Sequence, residues 1–175
     1  MNKDYIILPA ALLCISKLGI LLQGPAGCGK TDTVINLLAR GHKLVADDNI
    51  MIKPINNKLW GFCSGIDNSY LHIRGVGIVN VKAIYGKETL LNQHTIDFII
   101  NLSPTEIIEN QLDSFSSEKI LGISIPTIII PFCRYRQLSN LIELTVKYFL
   151  LKKKGYNVLN EFKEQQRRLM DKQPK

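Results

Sequence analysis

The sequence predicts an α/β fold: a P-loop-containing core with a mixed, partly antiparallel sheet around the phosphate-loop helix, followed by C-terminal helices. Three observations carry this. Gly24-Pro25-Ala26-Gly27-Cys28-Gly29-Lys30-Thr31 reads GxxxxGKT between the apolar run Leu18–Leu22 and a helix-like segment, Thr31–Arg40. Lys43–Ala46 is a second apolar run, ending in Asp47-Asp48-Asn49. From Gln137 onward the apolar period becomes helical, with Leu138, Leu141, Ile142, Thr145, Tyr148, Phe149 and Lys152 in register.

The elements follow in order. Tyr5–Ile15 and Leu18–Leu22 are expected as two strands joined at Ser16-Lys17. Gly41 supplies the left-handed stop after the helix. Ile50–Lys53 and Leu59–Phe62 flank Pro54-Ile55-Asn56-Asn57, a hairpin with the Asn pair at its turn. Tyr70–Arg74 leads through Gly75-Val76-Gly77 to a strand over Ile78–Ala83. That G-x-G lacks a third glycine and a following helix, so its default reading is a bulge or a close backbone approach and not a dinucleotide site. Thr95–Leu102 reads as one continuous strand, residues 103–119 as a surface loop or short helix, and Ile120–Ile130 as one or two strands. Lysines in the last turn suit the dipole of the Gln137–Lys154 helix and Gly155 closes it; Asn157 caps a final helix from Val158 to about Met170. Residues 1–175 are expected as a single P-loop domain, about 1–136 forming the sheet core and about 137–170 the helices.

With 175 residues, 46% hydrophobic, the chain is long enough for a substantial core. The net charge of +7 comes partly from Lys152-Lys153-Lys154 and Arg167-Arg168, read as solvated helix surface. Few clustered aromatics and no recognition helix argue against a nucleic-acid partner. Cysteines stand at 14, 28, 63 and 133 with no CxxC pair, and are expected as free thiols in a reducing cytoplasm. Residues 5–22 resemble a signal peptide in apolarity, but Pro9 and Lys17 interrupt them and they run into the glycine-rich motif. No run approaches ~20 uninterrupted apolar residues, so no membrane span is expected.

The chemistry follows from residue types. Gly24, Gly27 and Gly29 let the backbone turn so that N–H groups from Gly24 to Thr31 point at one anion, at the positive end of the next helix. Lys30 supplies a mobile ammonium for the β- and γ-phosphates, and Thr31 a hydroxyl for Mg²⁺. Asp47 and Asp48, at the carboxyl end of a strand, stand where α/β sheets bind ligands and where an aspartate holds Mg²⁺ or orients an attacking hydroxyl.

Five blocks then carry a resemblance: GPAGCGKT, LLARGHKLVADD, LHIRGVGIVNV, GISIPTIIIP and LTVKYFLLKKKGYNVLNEF. In this order, over roughly residues 8–165, the chain resembles the catalytic domain of the HPr kinase/phosphorylase family. The resemblance implies an ATP- and Mg²⁺-dependent kinase that phosphorylates a serine of the phosphocarrier protein HPr. It also implies removal of that phosphate with inorganic phosphate, giving pyrophosphate, and a cytoplasmic homo-hexamer in the control of bacterial carbohydrate metabolism. Gly24, Pro25, Ala26, Gly27, Cys28, Gly29, Lys30 and Thr31 would hold the nucleotide. Asp48 would be general base in one direction and acid in the other, Leu71–Asn80 would serve both reactions, and Arg136 would neutralise phosphate. Thr31 and Asp47 would hold the metal. The chain departs from the family at four points: Pro9 replaces a histidine, His72 an acidic Mg²⁺ ligand, Gln111 an arginine and Tyr135 a glycine. The family's N-terminal domain has no counterpart in this sequence. Two competing readings follow: a nucleotide sensor that keeps the loop without transfer, and a small-molecule kinase on the same scaffold.

Overall fold

The computed structural model describes residues 5–65, 67–105, 112, 115–133 and 137–170. In chain order the strands are β1 (Ile6–Leu8), β2 (Ala11–Ile15), β3 (Leu18–Gln23), β4 (Lys43–Ala46), β5 (Ile50–Ile55), β6 (Lys58–Cys63), β7 (Tyr70–Ile73), β8 (Gly77–Asn80), β9 (Gln93–Thr95), β10 (Phe98–Ser103), β11 (Ser116–Ile120) and β12 (Ile123–Pro131). The helices are α1 (Lys30–Ala39), α2 (Val81–Tyr85), α3 (Leu138–Lys153) and α4 (Val158–Met170).

A six-stranded sheet, ordered β11-β12-β10-β3-β2-β4, forms the middle layer. β10 runs parallel to both β3 and β12, whereas β2 is antiparallel to β3 and β4. β3 and β4 therefore point the same way, and both their carboxyl ends reach one edge of the sheet. Side chains alternate across it. Leu13, Ile20, Leu22, Phe98 and Ile100 meet Val34 and Leu37 of α1 and Ile142, Val146 and Phe149 of α3. Leu12, Leu21 and Ile99 face the other way, against Ile50, Ile52 and Leu59 of a four-stranded sheet ordered β1-β5-β6-β9. Both faces are covered, which is why these strands read as continuous apolar runs and not as alternating ones. Phe149 stacks on Phe98 with ring centroids 4.3 Å apart, and Phe115 meets both rings edge-on.

Tight two-residue turns set several registers. Ser16-Lys17 and Asn56-Asn57 have positive φ throughout, the backbone that matches the twist of a hairpin. Helix α1 ends at Arg40, with Gly41 at φ 85°, and Asn157 Oδ1 accepts the N–H groups of Leu159 and Asn160 to start α4. Glu143 on α3 accepts from Arg40 at 2.8 Å and contacts His42 Nε2 at 2.7 Å, fastening α3 to the end of α1. These two partners hold the Glu143 carboxyl below its usual range, His42 contributing most.

Four expectations are corrected. Tyr5–Ile15 is not one strand: it changes sheets at Pro9, so β1 pairs with β5 while β2 joins β3. Thr95–Leu102 is likewise divided. The Ile96 N–H bonds to Leu59 O on one sheet and the Asp97 N–H to Gly19 O on the other, so the chain crosses between consecutive residues. The strand expected over Ile78–Ala83 stops at Asn80, whose Oδ1 caps α2 through the Ala83 N–H at 3.0 Å. Within 103–119, Ser116–Ile120 forms the edge strand β11, antiparallel to β12. Among the described residues no helix is long and apolar enough to cross a membrane.

The sheet crossing depends on Gly19. A Cβ there would fall 1.6 Å from the Thr95 carbonyl oxygen, a backbone atom that has nowhere to go. Gly19→Ala is therefore expected to destabilise by about 1–3 kcal/mol or more. Urea denaturation checks this, and an unchanged midpoint would contradict the crossing described here.

Candidate active site

The glycine-rich loop runs off the end of β3 and re-enters the fold as α1. Gly24 lies against the core: a Cβ would come within 2.8 Å of Leu102 Cβ and 2.9 Å of Cys28 Sγ. Gly27 and Gly29 have φ of 78° and 89°, the left-handed region that glycine enters without a side-chain clash. Gly29 is the N-cap of α1, and its carbonyl accepts the Thr33 N–H at 2.9 Å, so the loop turns directly into the helix.

Lys30 and Thr31 occupy the first two positions of that helix. Lys30 Nζ donates to the carbonyls of Gly24 at 2.8 Å and Pro25 at 3.2 Å, resting on its own loop. Thr31 Oγ1 donates to Asp47 Oδ2 at 3.0 Å, bridging the start of α1 to the end of β4. Asp47 Oδ1 is buried and, among the described residues, has no hydrogen-bond partner. Burial, with the Asp48 charge beside it, pushes the Asp47 carboxyl above its usual range. The Thr31 hydrogen bond, the Asp48 amide and the Lys30 ammonium oppose that rise.

The next residue turns the opposite way. Asp48 is exposed and has φ 68°, a left-handed backbone that aspartate tolerates better than most residues. The Asn49 N–H closes the turn on the Asp47 carbonyl at 2.9 Å. One aspartate of the pair is thus half-buried at a hydroxyl, and the other projects into solvent.

The hairpin of β7 and β8 forms the facing wall. Leu71 packs into the core below α1, so His72 points to the other side, where Arg74 follows two residues on. A cavity of about 670 Å³ is lined by Pro9, residues 24–27 and 29–32, Asp48, His72 and Arg74. It gathers the loop, the lysine, the threonine and the outward aspartate around one space. Cys28 does not line it: the thiol is 5% exposed and packs in the core, and its N–H bonds to the Pro25 carbonyl at 3.3 Å. Pro9 and His72 both line this cavity. Arg136, Gln111 and Tyr135 lie outside the described residues. Arg74 was not singled out from sequence. It stands in the turn directly after β7, beside Gly75.

Chemically, the cavity offers the Lys30 ammonium, the Arg74 guanidinium, the two carboxylates of Asp32 and Asp48 and a helix start at its rim, where the backbone N–H groups and the two cations suit a phosphate group. Among the described residues no group of three or more His, Cys, Asp or Glu is placed to hold a metal ion. An ion held here would have Thr31 and Asp47 as its protein ligands and need further oxygen donors from elsewhere. Mg²⁺ is bound in that way, by one or two carboxylates with phosphate oxygens, and the bare Asp47 Oδ1 is a fitting donor.

Comparison with known proteins follows the same lines. The family model described as HPr Serine kinase C-terminal domain matches residues 4–166. The HPr kinase/phosphorylase of Mycoplasma genitalium is 34% identical over 171 residues, 95% of this chain and 55% of that protein. That of Leptospira biflexa is 36% identical over 157 residues, 86% of this chain and 49% of that protein. The chain spans about half the length of these curated relatives. The solved structure of the Hpr(Ser) kinase/phosphatase from Coxiella burnetii superposes with a TM-score of 0.79 at 36% identity, covering 90% of this chain and 98% of that one. Motif, fold and match over almost the whole length agree: the chain belongs to the HPr serine kinase C-terminal domain family.

Proposed function

We propose that the chain is an ATP- and Mg²⁺-dependent serine kinase acting on HPr, with phosphorolysis of seryl-phosphorylated HPr as its reverse reaction. The observation that carries the reading is the single cavity bordered by the glycine-rich loop, Lys30, Thr31 and Asp48, with Asp47 behind it. The names of the relatives favour transfer to HPr over a sensor without transfer or a small-molecule kinase. The same reading takes residues 1–175 as one catalytic domain, assembling as a homo-hexamer in the cytoplasm.

Each residue has work to do in such a site. Bound Mg·ATP would supply the transferable phosphoryl group and the divalent charge that neutralises it. The amides of the glycine-rich loop would hold the phosphate tail. Lys30 would leave the Gly24 and Pro25 carbonyls and bring its ammonium to the group in transfer, where negative charge spreads. Thr31 Oγ1 and Asp47 would be the protein's metal ligands, Oδ1 gaining the partner it lacks. Asp48 would accept the serine hydroxyl proton on its carboxylate and return it in the reverse reaction. Its exposure lets a protein substrate reach it. Arg74 would neutralise phosphate on the wall where His72 stands, and Arg136 would do so in the reverse reaction.

Incubation with Mg·ATP and HPr, read by intact mass, should add one phosphate. Lys30→Met should slow this by ~10²-fold or more through lost transition-state charge. Asp48→Asn should slow it by roughly 10²–10⁴-fold through the lost base. HPr left unmodified while the chain binds ATP would overturn the kinase reading.

Asp47 gives a test without turnover. Its carboxyl sits above the unfolded value of 3.8, so the folded state holds this proton more tightly. Stability from this group is thus greatest at low pH, falls as pH rises from the unfolded to the folded value, and stays lower above. Asp47→Asn should raise the urea midpoint at pH 7, with the gain vanishing below the ordinary carboxylate range. Mg²⁺ with nucleotide should raise the Tm of the parent more than that of Asp47→Asn. Equal shifts would remove Asp47 as a metal ligand.

A further inference from the structure

A second cavity, of about 730 Å³, adjoins the glycine-rich loop, and neither Lys30, Thr31 nor Asp48 lines it. Gly27, Gly29 and Asp32 border both spaces, so the two meet at the loop. One wall is the outer face of α1, where Asn36 stands about two turns beyond Gly29. The other is the chain between β12 and α3, with Phe132, Cys133, Gln137 and Leu138. The Phe132 N–H bonds to the Ser103 carbonyl at 2.9 Å, which ties this wall to the end of β10, the strand beside β3.

The two cavities differ in charge. The first holds Lys30 and Arg74. In the second the one cation among the described lining residues is Arg40, and it is committed to Glu143 at 2.8 Å. Asp32, at the junction, carries a carboxylate that repels phosphate and accepts from hydroxyl groups. Phe132 and Leu138 add apolar surface. Asn36 Nδ2 donates to the Asp32 carbonyl at 2.9 Å, and Gln137 Oε1 accepts from Asn140 Nδ2 at 2.7 Å. The groups left for a ligand are thus an acceptor oxygen on Asn36 and a donor amide on Gln137. An aromatic ring with one acceptor and one donor suits a heterocyclic base, and a carboxylate beside them suits a sugar diol.

We propose that this second cavity takes the nucleoside half of the nucleotide, an inference that rests on the kinase reading above. Asp32 meets the ribose hydroxyls, Phe132 packs on the base, and Asn36 and Gln137 read its polar edge. In phosphoryl transfer the attacking and leaving oxygens lie roughly in line through the phosphorus. The serine hydroxyl comes from the side of Asp48, so the leaving diphosphate and its nucleoside lie away from it. Asp48 lines the first cavity alone, and the second is the adjoining space of a size that encloses a small ligand.

Calorimetry on the whole chain with Mg²⁺ compares ATP with inorganic tripolyphosphate, which has no nucleoside. The parent should bind ATP at least about tenfold more tightly. Phe132→Ala should weaken ATP about tenfold through lost stacking and leave tripolyphosphate unchanged. Phe132 also packs against the core, so Asn36→Ala, at an exposed position of α1, repeats the comparison without disturbing the fold. It should weaken ATP roughly threefold and tripolyphosphate not at all. In the parent, the exposed Cys133 reports directly on occupancy of the cavity. ATP should slow its alkylation by N-ethylmaleimide several-fold, and tripolyphosphate should not. ATP bound with Cys133 still open to the reagent, and with both variants at parental affinity, would overturn the nucleoside site and leave the kinase reading standing. Binding of neither ligand would overturn both.

Discussion

The hydrogen bond from Thr31 to Asp47 joins two segments that the chain delivers separately. One arrives as the first turn of α1 and the other as the end of β4, and at 3.0 Å they are locked together. The bond depends on β2, which runs between β3 and β4 in the opposite direction and so turns both carboxyl ends to one edge. It also leaves a carboxylate only half satisfied, since Oδ2 has the hydroxyl and Oδ1 has nothing among the described residues. Burying a carboxylate with one oxygen unpaired is destabilising, and that burial, with the Asp48 charge beside it, raises the Asp47 carboxyl. Such arrangements are typical of sites built for a ligand and not for stability.

Around that edge the packing leaves little freedom. α1 is held to the sheet by Val34 and Leu37 and to α3 through Arg40 and Glu143. The outer edge of β4 is closed by Asn68, whose Nδ2 donates to the carbonyls of Val45 at 3.0 Å and Leu91 at 2.9 Å, and by the Leu91 N–H on Leu44. Closing an edge strand in this way removes a surface on which another chain could pair. It also fixes the direction in which Asp47 and Asp48 leave the sheet.

Much of this was legible in the residues. The glycine-rich motif, its flanking strand and helix, the Asn56-Asn57 turn and the two C-terminal helices all follow from local chemistry. Tight turns and caps are decided within a few residues, so sequence reports them faithfully. What sequence did not show is where the chain changes sheets. Pro9 and the Ile96-Asp97 step sit inside apolar runs, and an apolar run looks the same whether it stays in one sheet or passes to another. The division of labour in Asp47-Asp48 was visible only in part. Two adjacent acids were evident, but which is buried is set by Thr31, sixteen residues earlier. The close approach of β9 to β3 was invisible too, because it depends on the absence of a side chain at Gly19.

The left-handed backbone of Asp48 has a consequence for how this chain can change. Glycine would relax that conformation and asparagine would suit it, so drift toward a more comfortable fold leads to residues that have no carboxylate. With Asp48 in the proposed role of base, conformational ease and reactivity pull in opposite directions at this one position, and the main chain there carries a strain that the carboxylate's chemistry has to justify.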